Sequence, residues 1–111
     1  MRIFISVGMH NREYEDVRRE IELLTAYLVF NYDSPIEIVH NLDCVAPEGA
    51  DRLRYLGEAI KKLGTCDVAY FIKGWDKYRG CRIEKAVCDE YKITSFEVSF
   101  NVDVKPLSSW L

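Results

Sequence analysis

The chain has 111 residues, of which 49% are apolar, with a formal net charge of −3 and a pI near 5.4. This length and apolar content suit one folded domain with a single core. The acidic balance argues against a nucleic-acid-binding protein, because phosphate backbones are bound by clustered Lys and Arg. It does not exclude a small anionic ligand held by backbone N–H groups at a helix N-terminus.

The sequence also predicts a cytoplasmic protein that does not enter a membrane. No stretch approaches the ~18 apolar residues of a membrane span, and the short apolar run after Arg2 is unlike a secretory signal peptide. The cysteines form no C-x-x-C pair, which indicates reduced thiols: Cys44, Cys66, Cys81 and Cys88. His10 and His40 share no ligand spacing with them, so no bound metal is expected.

The first third of the chain predicts a strand, a helix and a second strand. Residues 2–7 are β-branched and aromatic and favour a first, central strand that ends at Gly8. Asn11 is the predicted cap of the helix that follows. An Asp-Ser-Pro sequence at 33–35 ends the helix, and residues 36–39 form a short strand. The apolar face of the helix recurs at intervals of three and four: Tyr14, Val17, Ile21, Leu24 and Leu28.

The middle of the chain predicts a loop at 41–49 and a second helix at about 50–63, ended by Gly64. Four leucines and isoleucines share one face of this helix: Leu53, Leu56, Ile60 and Leu63. The apolar run within 67–73 predicts a third strand that is buried on both faces.

The last third predicts a glycine-bounded loop from 74, a helix at 80–92 and a fourth strand at 95–100. The expected inward residues of this helix are Ile83, Val87 and Tyr91. The segment 101–111 lacks a clear period but ends in Trp110 and Leu111, which predicts that it docks on this domain or on a second subunit.

Strands that alternate with helices predict an α/β fold with an open parallel sheet of four to five strands and helices on both faces. We expect one domain over residues 1–100, followed by a C-terminal tail at 101–111. In such a sheet, ligands bind in a crevice at the carboxyl ends of the strands. Residues 6–11 would therefore face residues 74–84 across that crevice.

Three glycines near the crevice would allow close backbone approach to a ligand: Gly8, Gly74 and Gly80. The amides of residues 80–82 could hold an anion there. Because no G-x-G-x-x-G or P-loop motif is present, the sequence argues against a dinucleotide or ordinary nucleoside triphosphatase site, and we expect no cofactor.

Two glutamates are candidate catalytic groups. Glu84 lies in the first turn of the third helix, where the helix dipole could keep it ionised as a nucleophile or base. A simple helix charge or half of a capping box explains Glu84 equally well. Glu58, in the second helix, is a candidate acid, although a solvated helix charge is the commoner case.

The loop residues also allow alternatives. Trp75 and Tyr78 could form an aromatic wall for a flat base, or could pack against the loop or a neighbouring subunit. Arg79 and Arg82 could bind phosphate or carboxylate groups, although surface arginines are commoner. Cys81 could be a nucleophile near the helix start, but without an adjacent histidine a small buried hydrophobe is favoured.

Four segments of the chain resemble the nucleoside 2-deoxyribosyltransferase-like superfamily, in its small uncharacterised branch. They are residues 2–6 (RIFIS), 55–57 (YLG), 66–75 (CDVAYFIKGW) and 79–84 (RGCRIE). The resemblance covers about residues 1–98. It implies a flavodoxin-like or Rossmann-like fold and a homo-oligomer, either dimer or tetramer, in which a neighbouring subunit often completes the active site.

The resemblance also implies a nucleoside or nucleotide as the ligand. In active relatives a glutamate at the start of this helix attacks C1′ of a deoxyribonucleoside and releases the base, and the glycosyl-enzyme then reacts with another base or with water. Glu84 matches that glutamate, and Glu58 lies near the position of the acid. A catalytically inactive nucleotide-binding or interaction module is the alternative. The expected substrate-binding residues are Ser6, Gly8, Met9, Gly74, Trp75, Arg79, Gly80 and Cys81.

Overall fold

In the computed structural model of the protein, residues 1–40, 52–101 and 103–110 are described. The elements follow in the order β1 (Arg2–Ser6), α1 (Tyr14–Asn31), β2 (Glu37–Val39), α2 (Arg52–Leu63), β3 (Val68–Ile72), α3 (Arg79–Tyr91), β4 (Thr94–Val98) and β5 (Val104–Pro106). A short 3₁₀ helix, Trp75–Lys77, lies between β3 and α3. The predicted loop at 41–49 and the predicted helix start at 50 lie outside the described residues.

The strands form one sheet in the order β2-β1-β3-β4-β5. The first four strands are parallel, and β5 runs antiparallel to β4. This order is that of flavodoxin-like folds, so the predicted α/β open sheet is confirmed. The middle strand is β3, whose five residues are all buried. The prediction that β1 is the central strand is wrong, because one strand, β2, lies on one side of β1 and three strands lie on the other side.

The helices cover both faces of the sheet, as predicted. One core joins α1 to Ile3 and Ile5 of β1 and to the residues of β3 that lie on the same face of the sheet. The other joins α2 and α3 to Phe4, Ala69 and Phe71. Because side chains alternate along a strand, Ser6 lies on the same face as Phe4 and points toward α3.

The apolar face of α1 is confirmed at four of its five predicted positions. Val17, Ile21, Leu24 and Leu28 are buried, whereas Tyr14, in the first turn, is exposed. The predicted cap at Asn11 is wrong, since Glu13 occupies the N-cap position. Asn11 instead adopts a left-handed φ of 58° in the preceding turn, a conformation that asparagine tolerates better than most residues.

The predicted inward faces of α2 and α3 are partly wrong. On α2, Leu53 is 72% exposed, and Ala59 and Leu63 are the buried residues. On α3, Tyr91 is 78% exposed. The buried residues of α3 are Cys81, Glu84 and Cys88. Their spacing of three and four is also helical, so periodicity alone supports both faces, and packing on the sheet selects the one that carries Glu84.

The tail contributes a strand that the sequence did not predict. Val104–Pro106 pairs with β4, and the Leu107 amide donates to the Ser95 carbonyl over 2.9 Å. The buried Ser108 hydroxyl accepts a hydrogen bond from the Ser95 amide at 2.8 Å. Residues 104–108 therefore dock on this domain.

Candidate functional site

The centre of the candidate site is a buried pair formed by Glu84 and Ser6. Ser6 Oγ donates a hydrogen bond to Glu84 Oε1 over 2.7 Å. Ser6 ends β1 on the face toward α3, and Glu84 lies on the inward face of α3 between Cys81 and Cys88. Parallel pairing of β1 with β3 and the α3 crossover thus bring together two residues that are 78 positions apart.

The Glu84 carboxyl group has an unusual electrostatic environment. It is only 6% exposed, and burial raises its pKa from the ordinary 4.5 to about 7, an effect that the Ser6 hydrogen bond opposes. No Lys, Arg or His within 1–40, 52–101 or 103–110 forms an ion pair with it. Near neutral pH both protonation states are therefore populated, as an acid, base or nucleophile requires.

Tyr78 covers the backbone at the end of β1. It occupies the N-cap position of α3, and its ring lies so close to Gly8 that a methyl group added there would overlap the ring carbons. Gly8 is therefore required by the approach of Tyr78 rather than by an unusual φ angle. The predicted close approach at Gly8 is made in this structure by a side chain of the protein.

Gly8→Ala is expected to destabilise the protein by about 1–3 kcal/mol, because the Tyr78 ring would have to leave its position. Most of this loss should disappear in a Tyr78→Ala background, where the methyl group has room. Urea unfolding of the four proteins of this double-mutant cycle measures the coupling.

Gly80→Ala is the matched control for the Gly8 substitution. Apart from its chain neighbours and the backbone of its own helix, a methyl group at Gly80 would meet no described atom within 4 Å, and alanine favours helix. Equal costs at Gly8 and Gly80, or a Gly8→Ala cost that persists without the Tyr78 ring, would contradict the proposed contact.

A cavity of about 250 Å³ lies at the carboxyl ends of β1 and β3, and we refer to it as the β1–β3 cavity. Val7, Gly8, Ile72 and Gly74 are among the residues that line it. Gly74 begins the 3₁₀ turn with a left-handed φ of 97°, a conformation that favours glycine. The crevice expected at this edge of the sheet is therefore present.

Trp75 and Tyr78 both line the β1–β3 cavity. The Trp75 ring is fixed within the domain: its Nε1 donates to Glu97 over 3.0 Å, and its centroid lies 5.3 Å from that of Phe71. Of the predicted binding residues, Gly8, Gly74 and Trp75 line this cavity.

Glu84 and Ser6 do not line the β1–β3 cavity. Residues next to them in the chain do line it. Val7 and Gly8 follow Ser6 directly, and Tyr78 occupies the N-cap position of the helix that carries Glu84. A ligand in the cavity would contact the Glu84 carboxylate only after side chains between them move.

Other predicted site residues lie outside this arrangement. Met9 and Arg79 are exposed, and the Arg82 amide donates to the Tyr78 carbonyl within the helix, so it is not available to an anion. The Glu58 side chain is exposed on α2, with Oε1 3.7 Å from Lys61 Nζ. The structure does not bring these side chains to the buried pair.

Cys81 is buried beside the Ser6–Glu84 pair. Burial raises the pKa of its thiol to about 12, and the nearby Ser6 hydroxyl offsets only part of the rise. The group therefore stays a thiol at neutral pH, as expected of a small buried hydrophobe rather than a nucleophile.

Sequence reasoning missed the charged residues of the β1–β3 cavity, which are Arg12, Glu20, Lys73 and Lys77. Two of them had a signal, since Lys73 directly follows β3 and Lys77 lies in the crevice loop. Arg12 and Glu20 had none, because they read as ordinary members of the polar face of a helix.

Comparisons with known proteins do not identify a family for this chain, because no family model, curated protein or solved structure matches it.

Among the described residues, no group of three or more His, Cys, Asp or Glu side chains could hold a metal ion. Within the same residues, no helix combines the length and apolar character needed to cross a membrane.

Proposed function

We propose that this protein binds a nucleoside or nucleotide and cleaves or transfers at its N-glycosidic bond, with Glu84 as the nucleophile. The observation that carries this proposal is the buried Glu84 carboxyl group, held by Ser6 without a cationic partner among the described residues. A glutamate that serves only as a helix charge would face solvent, whereas this one is buried near the carboxyl ends of the strands, where open α/β sheets bind ligands.

In the proposed reaction a Glu84 oxygen bonds to C1′ as the bond from C1′ to the base breaks. The base leaves with the bonding electrons and takes a proton from solvent water. Water or a second base then attacks C1′ and loses a proton to solvent, while the ester bond between C1′ and Glu84 breaks and frees the carboxylate. Ser6 is a positioning residue, because its hydrogen bond holds one carboxylate oxygen. The described contacts of Glu58 do not support it as the acid toward the leaving base.

Base release from deoxynucleosides and their 5′-monophosphates, followed by chromatography, tests the proposal. The release rate is expected to rise with pH and level off above about pH 7, because the nucleophile must be ionised and its pKa is about 7. A rate that is independent of pH between about pH 5 and pH 9 would contradict a role for this carboxylate.

A catalytically inactive nucleotide-binding module is the second candidate function. The closed position of Glu84 favours it, since the β1–β3 cavity does not reach the carboxylate. Thermal stabilisation by nucleotides without base release, in the wild-type protein and under all conditions tested, would support this alternative.

A further inference from the structure

The Tyr78 ring lies on the same face of the sheet as the buried Ser6–Glu84 pair. Val7 packs in the core beneath α1, so the alternation of β1 continues beyond Ser6 and directs the Gly8 position toward α3. The Tyr78 ring carbons fill the space that a side chain at Gly8 would need. The ring is therefore the next group after the Ser6–Glu84 pair toward the carboxyl ends of the strands, where open α/β sheets bind ligands.

No polar contact holds the Tyr78 ring in this position. Its hydroxyl forms no hydrogen bond with any described residue. Trp75, in the same loop, is held by a hydrogen bond to Glu97 and a ring contact with Phe71. Because the Tyr78 side chain has neither kind of contact within the described part of the chain, no hydrogen bond has to break when its ring turns away from Gly8.

The backbone on both sides of this contact is fixed. Arg12 donates from Nη1 to the Gly8 carbonyl over 3.0 Å and forms an ion pair with Glu20. On the other side, the Tyr78 amide donates to the Trp75 carbonyl over 3.0 Å. Rotation of the half-buried Tyr78 side chain about its own bonds separates the ring from Gly8 without a change in the backbone.

The Glu84 carboxyl group is closed off in this structure. It is buried, and the β1–β3 cavity is lined by Gly8 and Tyr78 but not by Glu84. We propose that the Tyr78 ring is a gate, which fills the space beside Glu84 and, on turning away from Gly8, joins that space to the β1–β3 cavity.

The structure is the closed state of this gate, and a ligand that reaches Glu84 takes the place of the ring. That the ligand is a substrate rests on the function proposed above, whereas closure of Glu84 by the ring does not.

Carbodiimide labelling tests the gate, because this reagent activates the carboxyl groups that it can reach and an added amine, glycine ethyl ester, then forms an amide. In the wild type, Glu84 is expected to react about 100-fold more slowly than Glu90, which is exposed on the same helix. Tyr78→Ala is expected to raise the Glu84 rate about tenfold or more, with Glu90 unchanged. Tyr78→Phe keeps the ring and should match the wild type. Mass spectrometry of the digested protein measures each rate.

Tyr91→Ala is the matched control, since it removes an exposed tyrosine from the same helix. An increase in the Glu84 rate equal to that in Tyr78→Ala would contradict the gate. Gly8→Ala displaces the ring instead of removing it and should also raise the Glu84 rate, so it decides the test if Tyr78→Ala does not fold. The fully buried Cys88 thiol should stay unreactive toward iodoacetamide in every variant, which shows that α3 has not unfolded.

The gate is overturned if wild-type Glu84 reacts as fast as Glu90, if neither Tyr78→Ala nor Gly8→Ala raises the Glu84 rate, or if Cys88 becomes reactive in step with Glu84. Labelling of Tyr78→Phe at the Tyr78→Ala rate also overturns it, since the hydroxyl rather than the ring would then close the site.

The gate and the proposed reaction fail separately. Faster Glu84 labelling in Tyr78→Ala without base release keeps the gate and rejects the reaction. Base release by the wild type, with unchanged labelling in Tyr78→Ala, keeps the reaction and rejects the gate. Where both hold, Tyr78→Ala should lower KM about threefold to tenfold and change kcat far less, because binding no longer has to displace the ring. An unchanged KM would reject the ring as a group that the substrate displaces.

Discussion

Glu84→Gln is expected to raise the free energy of unfolding by about 3 kcal/mol above pH 7, and to leave it nearly unchanged below about pH 4. Burial raises the pKa of Glu84 from the ordinary 4.5 to about 7. Below the lower value the carboxyl is protonated in both states, and glutamine resembles it. Between the two values the folded protein keeps a proton that the unfolded chain has lost, so wild-type stability falls as pH rises.

Urea unfolding of wild type and Glu84→Gln across this pH range measures the difference. Glu90→Gln is the matched control, since it makes the same chemical change at an exposed position of α3, where we expect less than about 0.5 kcal/mol at any pH. A difference between wild type and Glu84→Gln that does not grow between pH 4.5 and pH 7 would show that the folded protein does not resist ionisation of this group.

Local patterns predicted most of the fold. The apolar run of β3 and the spacing of Val17, Ile21 and Leu24 identified a buried strand and a helix face, because a short apolar run next to a glycine favours a strand and a spacing of three and four favours a helix. The residues of β5 are all exposed and include Pro106, so they carry no alternation that indicates a strand. Pairing with β4 creates that strand, and pairing is a tertiary effect.

The candidate site was predicted in its parts but not in its contacts. The carboxyl ends of the first and third strands placed Ser6 and Glu84 at one edge of the sheet. The inward face of α3 was assigned to Ile83 and Tyr91, since apolar residues are favoured inside. Two small cysteines instead flank Glu84 there. The contact of Tyr78 with Gly8 and the ion pair of Arg12 depend on long-range packing that no local pattern records.

The substitution that stabilises the fold is also expected to remove the proposed reaction. Glu84→Gln should lower the rate of base release by about 10³-fold or more, because an amide oxygen is a poor nucleophile and cannot form the glycosyl ester. Substrate affinity should change far less, since glutamine keeps a hydrogen bond to Ser6. Single-turnover rates and separate binding measurements distinguish the two effects.

Glu90→Gln again serves as the control and should retain the wild-type rate. Gain of stability with loss of turnover is the combination expected of a carboxylate that is buried for chemistry, since its ionisation opposes folding while serving the reaction. A buried glutamate without a catalytic role would show the gain alone. Turnover that persists in Glu84→Gln would assign the chemistry to another group, even if the stability change has the expected sign and size.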